Sequence, residues 1–307
     1  MIRRPPRSTH CISSAASDVY KRQEIIAVLQ NASFQVRECR RNSMAETLFE
    51  RLNRLLPGGK GVWIPMDHGI SGYPEKGLER MDEVVDSCIE AGADAIVLQK
   101  GSLSHNVERT GWNRFVCHVS VSTKHAGERA GYKVRVASAE ECLFRGATGC
   151  SAQINLGDEY EPEMIVEMGA LTGEAIALGM PVLGMVYPRG ANLIVSEDDK
   201  TGGIAHAARV AWELGCDVVK VPWTGDAESF AEVCSAVPIP VLIAGGPRGT
   251  SFTELLRIVE QSISAGGAGV CMGRQVFGAD DPASHIRALK SVIHEGISAA
   301  EAAEHLR

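Results

Sequence analysis

The amino-acid sequence predicts one parallel (β/α)8 barrel (TIM barrel) over residues 44–307. Short apolar runs alternate with helical patterns eight times within about 250 residues, as this fold requires. Polar residues concentrate where the apolar runs end, and in a barrel these ends converge on one face. A doubly wound open sheet is the alternative, but it usually has a glycine-rich nucleotide turn after its first strand. Here that strand ends in Asp67-His68-Gly69, which favours the barrel.

Eight strands and the helices between them make up this pattern. Each predicted strand is a short apolar run, often rich in β-branched residues. The strands are Val62–Met66, Ala95–Gln99, Phe115–Val121, Cys150–Asn155, Val182–Tyr187, Val218–Val221, Val241–Ala244 and Gly269–Met272. Apolar residues at helical spacing predict helices that include Glu79–Ala91, Glu161–Leu178, Gly203–Leu214 and Ser251–Ala265.

The first 43 residues do not share this pattern. Residues 1–23 resemble a translated sequencing-adapter artefact, and residues 24–43 show no clear hydrophobic period. We expect residues 1–43 to be a disordered, non-native extension, with Met44 as the natural start. The alternative is a basic arm, since the segment holds eight Lys/Arg and three Asp/Glu. An amphipathic helix then runs to Leu56 and stops at Pro57-Gly58-Gly59.

Composition limits the kinds of partner. The 307 residues are 45% apolar and 22% charged, with a net charge of −7. An acidic protein is a poor general partner for nucleic acid, although a phosphorylated small substrate needs only a local site. No run of about 18 apolar residues occurs, so we expect no membrane span. Nine cysteines without a CxxC pair predict buried free thiols in a reducing cytoplasm.

Lys220 is the best candidate for a nucleophile. It lies inside the apolar run Val218–Val221, which Pro222 and Gly225 follow. A buried lysine must lose its charge, pair with a counter-ion or take part in a reaction. We expect burial to lower its pKa, and a neutral amine can attack a carbonyl to form a Schiff base. The alternative is a lysine whose aliphatic stem carries the charge out to water.

Schiff-base chemistry also needs groups that move protons. Tyr187 closes the fifth predicted strand, and Pro188 stiffens the chain after it. Asp67 closes the first strand and can accept a proton. Each has a simpler interpretation, Tyr187 as an aromatic at the core edge and Asp67 as a helix cap or turn former. A carboxylate, a phenol and a buried amine at three strand ends of one barrel favour a catalytic site.

Two glycine turns predict a phosphate site. Gly245-Gly246-Pro247 follows the seventh strand, and Gly273-Arg274 follows the eighth. Glycines let backbone amides approach a phosphate closely, and barrels often bind phosphate at these two positions. Arg274 adds a positive charge.

Metal catalysis is the chemical rival. Asp67, His68, His118 and His125 are candidate zinc ligands. However, no HxxxH, HxH or CxxC spacing occurs, and a zinc enzyme has no need of a lysine in the sixth strand. We therefore expect no metal and no cofactor.

Five motifs in a fixed order carry a family resemblance. They are MDHG (66–69), YPRG (187–190), VVKVPWTGD (218–226), AGGP (244–247) and GVCMGRQVFG (269–278). From about residue 45 to 300 the chain resembles the archaeal-type class I aldolases (DhnA/DeoC-like). That family contains fructose-bisphosphate aldolases and 2-amino-3,7-dideoxy-D-threo-hept-6-ulosonate (ADH) synthase. The resemblance implies a Schiff-base aldolase or transaldolase on a (β/α)8 barrel.

The resemblance also implies roles for individual residues. Lys220 is then the Schiff-base lysine, Tyr187 the proton donor and Asp67 the proton acceptor. The residues implied to bind the phosphorylated sugar are Asp67, His68, Gly69, Ile70, Ser71, Tyr187, Pro188, Arg189, Gly245, Gly246, Gly273 and Arg274. Pro222-Trp223 departs from the Ser-Tyr or Lys-Tyr common in the family, which bears on the acceptor aldehyde.

Within the family the chain resembles the ADH synthase branch more closely, through GLERMDEVV (77–85) and VSVSTKH (119–125). The implied reaction joins a fragment of a ketose phosphate to L-aspartate semialdehyde, on a route to aromatic amino acids. The alternatives are a fructose-bisphosphate aldolase, an aldolase that joins dihydroxyacetone phosphate to aspartate semialdehyde for 3-amino-4-hydroxybenzoate, and a barrel that only senses a sugar phosphate. Family members form large rings, often decamers, so we expect a homo-oligomer.

Overall fold

Eight parallel strands close into a barrel, which confirms the predicted fold class. The computed structural model describes residues 46–194, 199–245, 249–304 and 306. The extension expected at residues 1–43 lies outside the described residues and stays a prediction.

The strands follow one another around the ring in the order β1-β10-β9-β8-β7-β6-β3-β2. Their bounds are β1 Gly61–Pro65, β2 Ala95–Gln99, β3 Phe115–His118, β6 Gly149–Leu156, β7 Val182–Pro188, β8 Val218–Val221, β9 Val241–Ala244 and β10 Gly269–Cys271. Two short strands, β4 (Ser120–Val121) and β5 (Val134–Arg135), pair antiparallel outside the ring.

The α-helices of the described residues alternate with the strands. Their bounds are α1 Leu48–Leu55, α2 Met81–Glu90, α3 Lys100–Thr110, α4 Ala139–Phe144, α5 Glu161–Ala177, α6 Lys200–Glu213, α7 Ala227–Ser235, α8 Phe252–Ser264, α9 Arg274–Phe277, α10 Pro282–Lys290 and α11 Ala299–Glu304. Among them, none combines the length and the apolar character that a bilayer crossing requires.

Most predicted elements lie within two residues of the observed ones, and one strand prediction is wrong. The predicted strand Phe115–Val121 divides after His118, and Ser120 pairs instead with Arg135 in the antiparallel ribbon. The Ser120 hydroxyl accepts a hydrogen bond from the Gln153 amide, and the chain then leaves the barrel. The excursion from Ser120 to Arg135 therefore lies at the rim of the barrel, above β3 and β6.

The side chains of each barrel strand alternate between two apolar layers. In β8, Val218 belongs to the cluster inside the barrel, whereas Val219 and Val221 belong to the cluster between the strands and the helices. Successive residues of a strand point to opposite faces, so Lys220 faces the interior with Val218. The same alternation turns Met185 of β7 and Cys271 of β10 inward.

Helix α1 closes the barrel at the end where the strands begin. Thr47 and Glu50 form a reciprocal capping box that starts the helix. Leu55 and Leu56 join the inner cluster, and the Trp63 indole donates a hydrogen bond to the Leu55 carbonyl at 2.7 Å. Side chains therefore fill the barrel interior at this end.

Two carboxylates, one buried and one half-buried, stabilise strand starts at this closed end. One Asp94 oxygen accepts hydrogen bonds from the Val62 amide at 2.8 Å and from His294 at 2.7 Å. Asp217 accepts in the same way from the Val182 amide at 2.8 Å. Asp94 immediately precedes β2 and binds the second residue of the neighbouring β1, and Asp217 immediately precedes β8 and binds the first residue of β7. Each carboxylate therefore helps to fix the register between two neighbouring strands.

We expect Asp94→Ala to lower the free energy of unfolding by about 2–4 kcal/mol, because it leaves a buried amide and His294 without their acceptor. Urea denaturation followed by circular dichroism measures the change. Asp86→Ala is the control, since its carboxylate pairs with Arg109 on the surface at 2.8 Å. An exposed pair is worth less than about 1 kcal/mol. Equal losses in the two variants would contradict the structural role of Asp94.

Candidate active site

A cavity of about 700 Å³ opens at the carboxyl ends of the strands. Active sites of (β/α)8 barrels are built at this end. Its lining comes mainly from β6, β7, β8, β9 and β10, from the loops that follow β1 and several of these strands, and from the excursion after β3. The polar residues that line it are Asp67, His68, Ser71, Lys133, Gln153, Tyr187, Arg189, Lys220, Arg274 and Gln275.

Lys220 lies at the floor of this cavity with only 7% of its surface exposed. Its strand neighbours are Met185 of β7 and Leu242 of β9, both in the inner apolar layer. The Tyr187 hydroxyl and the Cys271 thiol lie close enough to the amine to act on its pKa. The alternative of a lysine that reaches out to bulk water is therefore wrong.

The charge state of Lys220 differs from the sequence-based expectation. Burial lowers the pKa of the amine, but Cys271, Tyr187 and Asp67 together raise it above the usual value for lysine. Burial also raises the pKa of the Tyr187 phenol, and that of the Cys271 thiol to about 11, so both are uncharged at neutral pH. The predicted lowering of the pKa of Lys220 is therefore wrong, and the negative charge of Asp67 favours the ammonium form of the amine.

Asp67 begins the turn that follows β1 and stays ionised. Burial raises the pKa of its carboxyl, but positive charge on His118, His68 and Lys220 outweighs burial and holds the pKa below the usual value. Burial lowers the pKa of both histidines, so at neutral pH Lys220 is the cation that faces Asp67. The His118 Nε2 lies 3.8 Å from Asp67 Oδ2, and its Nδ1 is hydrogen-bonded to the Ser151 hydroxyl at 2.9 Å.

Tyr187 is held from two sides. It is the sixth residue of β7 and lies opposite Asn155 of β6. The Arg189 guanidinium lies over its ring at 4.8 Å, and Arg189 Nε donates to the Asn155 side-chain oxygen at 2.8 Å. Because the ring is clamped and the phenol is uncharged, the hydroxyl is available as a proton donor beside Lys220.

The glycines after β9 and β10 allow close packing at the cavity wall. A Cβ on Gly273 would lie 2.1 Å from the Pro65 carbonyl oxygen, so only glycine brings this turn against the end of β1. A Cβ on Gly245 would lie 2.7 Å from Gln275 Oε1. Both glycines and Arg274 line the cavity, whereas Gly246 and Pro247 lie outside the described residues.

The DeoC/LacD family aldolase profile matches residues 62–279, which is more than half of the chain and nearly the whole barrel. This chain belongs to that family. The match begins in β1 and ends just after α9, so it includes every strand that contributes to the cavity.

Curated relatives of the aldolase agree with this assignment. It is 36% identical over 256 residues to 2-amino-3,7-dideoxy-D-threo-hept-6-ulosonate synthase 1 of Archaeoglobus fulgidus, covering 83% of this chain and 94% of that one. It is 38% identical over 233 residues to 2-amino-4,5-dihydroxy-6-oxo-7-(phosphonooxy)heptanoate synthase of Streptomyces griseus, covering 75% and 84%.

Solved structures share the fold. An archaeal fructose-1,6-bisphosphate aldolase, whose catalytic lysine is covalently bound to the carbinolamine intermediate of its substrate, superposes with a TM-score of 0.71. That structure is 27% identical to the aldolase, covering 80% of this chain and 99% of that one. The aldolase is therefore an enzyme of the class I, Schiff-base type.

The aldolase brings together most residues that the sequence singled out. Asp67, His68, Ser71, Tyr187, Arg189, Lys220, Gly245, Gly273 and Arg274 line one cavity. Gly69, Ile70 and Pro188 do not line it, and Ile70 is 40% exposed. Ile70 points away because Asp67–Ile70 forms a tight 3-10 turn, which directs its successive side chains to different sides.

Sequence reasoning missed four polar residues of the cavity, one of which is Gln275, next to Arg274 in α9. Gln153 and Cys271 lie on barrel strands, and the alternation along β6 and β10 could have identified both as inward-facing. Lys133 lies at the rim, in the excursion between β3 and β6, and no strand pattern marks it. Within the described residues, no three His, Cys, Asp or Glu side chains are arranged to hold a metal ion.

We expect the reactivity of the Lys220 amine to rise with pH, because only its deprotonated form is a nucleophile. Asp67→Asn removes a negative charge that stabilises the ammonium form, so the pKa of Lys220 should fall. The curve of its reactivity against pH should therefore move to lower pH. Pentane-2,4-dione, which forms a coloured enaminone with a free amine, measures the reactivity between pH 6 and 10. Coincident profiles for the two proteins would show that Asp67 does not hold the proton on Lys220.

Proposed function

We propose that Lys220 captures a keto-sugar phosphate as an imine and that Tyr187 and Asp67 move the protons of an aldol cleavage and condensation. The observation that carries this proposal is the inward amine of Lys220, placed between a phenol and a carboxylate on the floor of a large cavity. A phenol and a carboxylate near the amine can accept and return the protons that imine formation and hydrolysis move.

The first step is the capture of the ketone. Lys220 gives up one proton to the Asp67 carboxylate, and its lone pair attacks the keto carbon. Asp67 returns that proton to the new alkoxide oxygen, which leaves a carbinolamine protonated on nitrogen. Tyr187 supplies a proton to the leaving hydroxyl and recovers one from the nitrogen, so water departs and a protonated imine remains. Asp67 stabilises the positive charge on nitrogen in both the ammonium and the imine.

The second step breaks and forms the carbon–carbon bond. The Asp67 carboxylate removes the proton of the hydroxyl next to the scissile bond, and the bond electrons move into the imine to leave a neutral enamine and a free aldehyde. The enamine then attacks an acceptor aldehyde and becomes an imine again, while a proton from Tyr187 neutralises the new alkoxide. The proton held by Asp67 then returns Tyr187 to its phenol form. Hydrolysis of the imine releases the product and restores Lys220.

Our leading reaction is that of ADH synthase. A ketose phosphate such as 6-deoxy-5-ketofructose 1-phosphate is the donor, and L-aspartate semialdehyde is the acceptor. The Archaeoglobus relative bears that name. The phosphate would be bound through Gly245, Gly273 and Arg274, together with the neighbouring Gly246. His68 and Ser71 line the same cavity and would contact the sugar.

A second reaction is supported by the Streptomyces relative. The name of its product describes a seven-carbon amino acid with a 6-oxo and a 7-phosphonooxy group. An aldol between dihydroxyacetone phosphate and aspartate semialdehyde gives that skeleton. Fructose-bisphosphate cleavage is the third reaction, and a screen of donors and acceptors with product identification distinguishes the three.

We also propose a cytoplasmic homo-oligomer. All seven cysteines in the described part of the chain are free thiols, six of them buried, which suits a reducing compartment. The homo-oligomer, a decamer in many family members, rests on the resemblance alone, and light scattering measures it.

Borohydride added with dihydroxyacetone phosphate or a ketose phosphate should reduce the imine and attach the donor to Lys220. Peptide mass spectrometry locates the adduct, and Lys220→Met should show none because it has no amine at that position. Lys76→Met, at an exposed lysine paired with Asp280, is the matched control and should be labelled like the wild type. No adduct with any ketose phosphate would overturn all three reactions. Absent turnover with unaltered ligand affinity in Lys220→Met would favour a sensor.

Tyr187→Phe should lower kcat by about 10²- to 10⁴-fold, because the ring stays clamped while the proton donor is lost. Steady-state rates with a coupled assay measure the loss. Substrate binding should change much less, since the phenyl ring still packs beneath Arg189. A kcat within a few-fold of the wild-type value would remove Tyr187 from the proton transfer.

A further inference from the structure

A buried histidine and a buried serine lie behind Asp67. His118 ends β3, and Ser151 of β6 is its partner in the strand register. Val116, two residues before His118, belongs to the inner apolar layer, so alternation directs His118 and its register partner to the inside of the barrel. Of the described residues that line the cavity, neither His118 nor Ser151 is one. Any effect of this pair on the reaction must therefore pass through a neighbour.

One imidazole faces each oxygen of the Asp67 carboxylate. His118 Nε2 lies 3.8 Å from Oδ2, and His68 Nδ1 lies 3.8 Å from Oδ1. The two rings differ in their surroundings. His68 lines the cavity and is partly exposed, whereas His118 is buried and its second nitrogen is hydrogen-bonded to the Ser151 hydroxyl at 2.9 Å. His118 is thus the ring that is anchored on the side away from Asp67.

The charge of Asp67 selects one tautomer of His118. Burial lowers the pKa of this imidazole, so at neutral pH it is uncharged and carries a single proton. With the proton on Nδ1, the lone pair of Nε2 would face the carboxylate and be repelled. With the proton on Nε2, an N–H points at Asp67 Oδ2 and Nδ1 accepts the hydrogen of the Ser151 hydroxyl. The second tautomer satisfies all three groups.

We propose that His118, oriented by Ser151, is a positioning residue that holds the Asp67 carboxylate in place for proton transfer with Lys220 and the substrate. The distance of 3.8 Å is longer than a hydrogen bond, and a movement of about 1 Å closes the gap. Catalytic hydrogen bonds often shorten in this way when substrate binds. The inference rests on the proposed function, because it requires Asp67 to be the proton carrier.

The other groups that face Asp67 cannot take this part. His68 is its neighbour in the chain, and its ring lines the cavity, where it would meet the substrate. Lys220 changes during the reaction, since its ammonium gives up a proton and its nitrogen then passes through an imine and a neutral enamine. His118 alone among these three groups stays out of contact with substrate and keeps its bonding to Ser151 through the cycle.

The test times the capture of the ketone at Lys220. Enzyme is mixed with dihydroxyacetone phosphate or fructose 1,6-bisphosphate, borohydride stops the reaction at set times, and mass spectrometry counts the adduct. His118→Leu should lower the limiting rate by about 10- to 100-fold, the range for loss of one hydrogen bond to a charged group. The half-saturating donor concentration should stay within about three-fold, because His118 does not touch the ligand.

Two amide variants separate the N–H group from the packing of the ring. The longer amide in His118→Gln places an N–H near the position of Nε2 and should restore most of the rate. The shorter amide in His118→Asn reaches Ser151 but not Asp67, so this variant should be as slow as His118→Leu. Circular dichroism checks that each variant folds, and the Gln and Asn pair carries the comparison if the leucine variant does not.

A double variant tests whether Ser151 acts through His118. Ser151→Ala should lower the limiting rate by about 2- to 10-fold, the range for one neutral hydrogen bond. The variant with both His118→Leu and Ser151→Ala should be no slower than His118→Leu alone, because the serine has no other route to Asp67. Ser262→Ala is the matched control and should behave as the wild type. Ser262 is a buried serine in α8, and its hydroxyl has no hydrogen-bond partner among the described residues.

Three results would overturn this inference. The first is a limiting rate in His118→Leu and His118→Asn that equals that of the wild type. The second is a His118→Gln variant as slow as His118→Asn, and the third is a pair of losses that multiply in the double variant. A wild type that forms no adduct with any ketose phosphate would overturn the proposed function and this inference together. A wild type that traps a donor but is insensitive to His118 would overturn the inference alone.

Discussion

The burial of one amine inside the barrel is the constraint on which the rest of the site depends. Alternation along β8 turns Lys220 into an interior that is otherwise filled by Val218, Met185 and Leu242. Taking an isolated ammonium out of water costs several kcal/mol unless a counter-ion is present. Asp67, in the turn after β1, contributes negative charge that raises the pKa of the amine, so a carboxylate at this strand end favours the buried ammonium.

This pairing changes how the site must work. Because its pKa is raised, the Lys220 amine is protonated before substrate binds, and it cannot attack a carbonyl until a proton leaves it. The imine that forms is itself protonated, so Asp67 faces a positive charge both before and after capture. The carboxylate thus balances the positive charge of the nitrogen in both of these states. The uncharged Tyr187 supplies protons to substrate oxygens.

Sequence patterns predicted the parts of the molecule that depend on local periodicity. The barrel strands and the burial of Lys220 were predicted from short apolar runs, and Asp67 and Tyr187 from their places at strand ends. The direction of the pKa shift did not follow, because it depends on Asp67 and Cys271, which the closed ring brings to Lys220 from β1 and β10. The break after His118 was missed for a similar reason, since it depends on pairing with the distant β5.

The catalytic groups and the groups that would select the substrate lie in different parts of the barrel. Lys220, Tyr187 and Cys271 lie on barrel strands whose positions the ring fixes, and Asp67 follows directly on one. The groups that would select the substrate lie at the rim: Lys133 in the excursion, and Trp223 in the loop after β8, packed 5.0 Å from Phe230. The Pro222-Trp223 departure from the common family pattern therefore falls on the cavity wall. Such a change can alter which aldehyde fits while the amine, phenol and carboxylate keep their geometry.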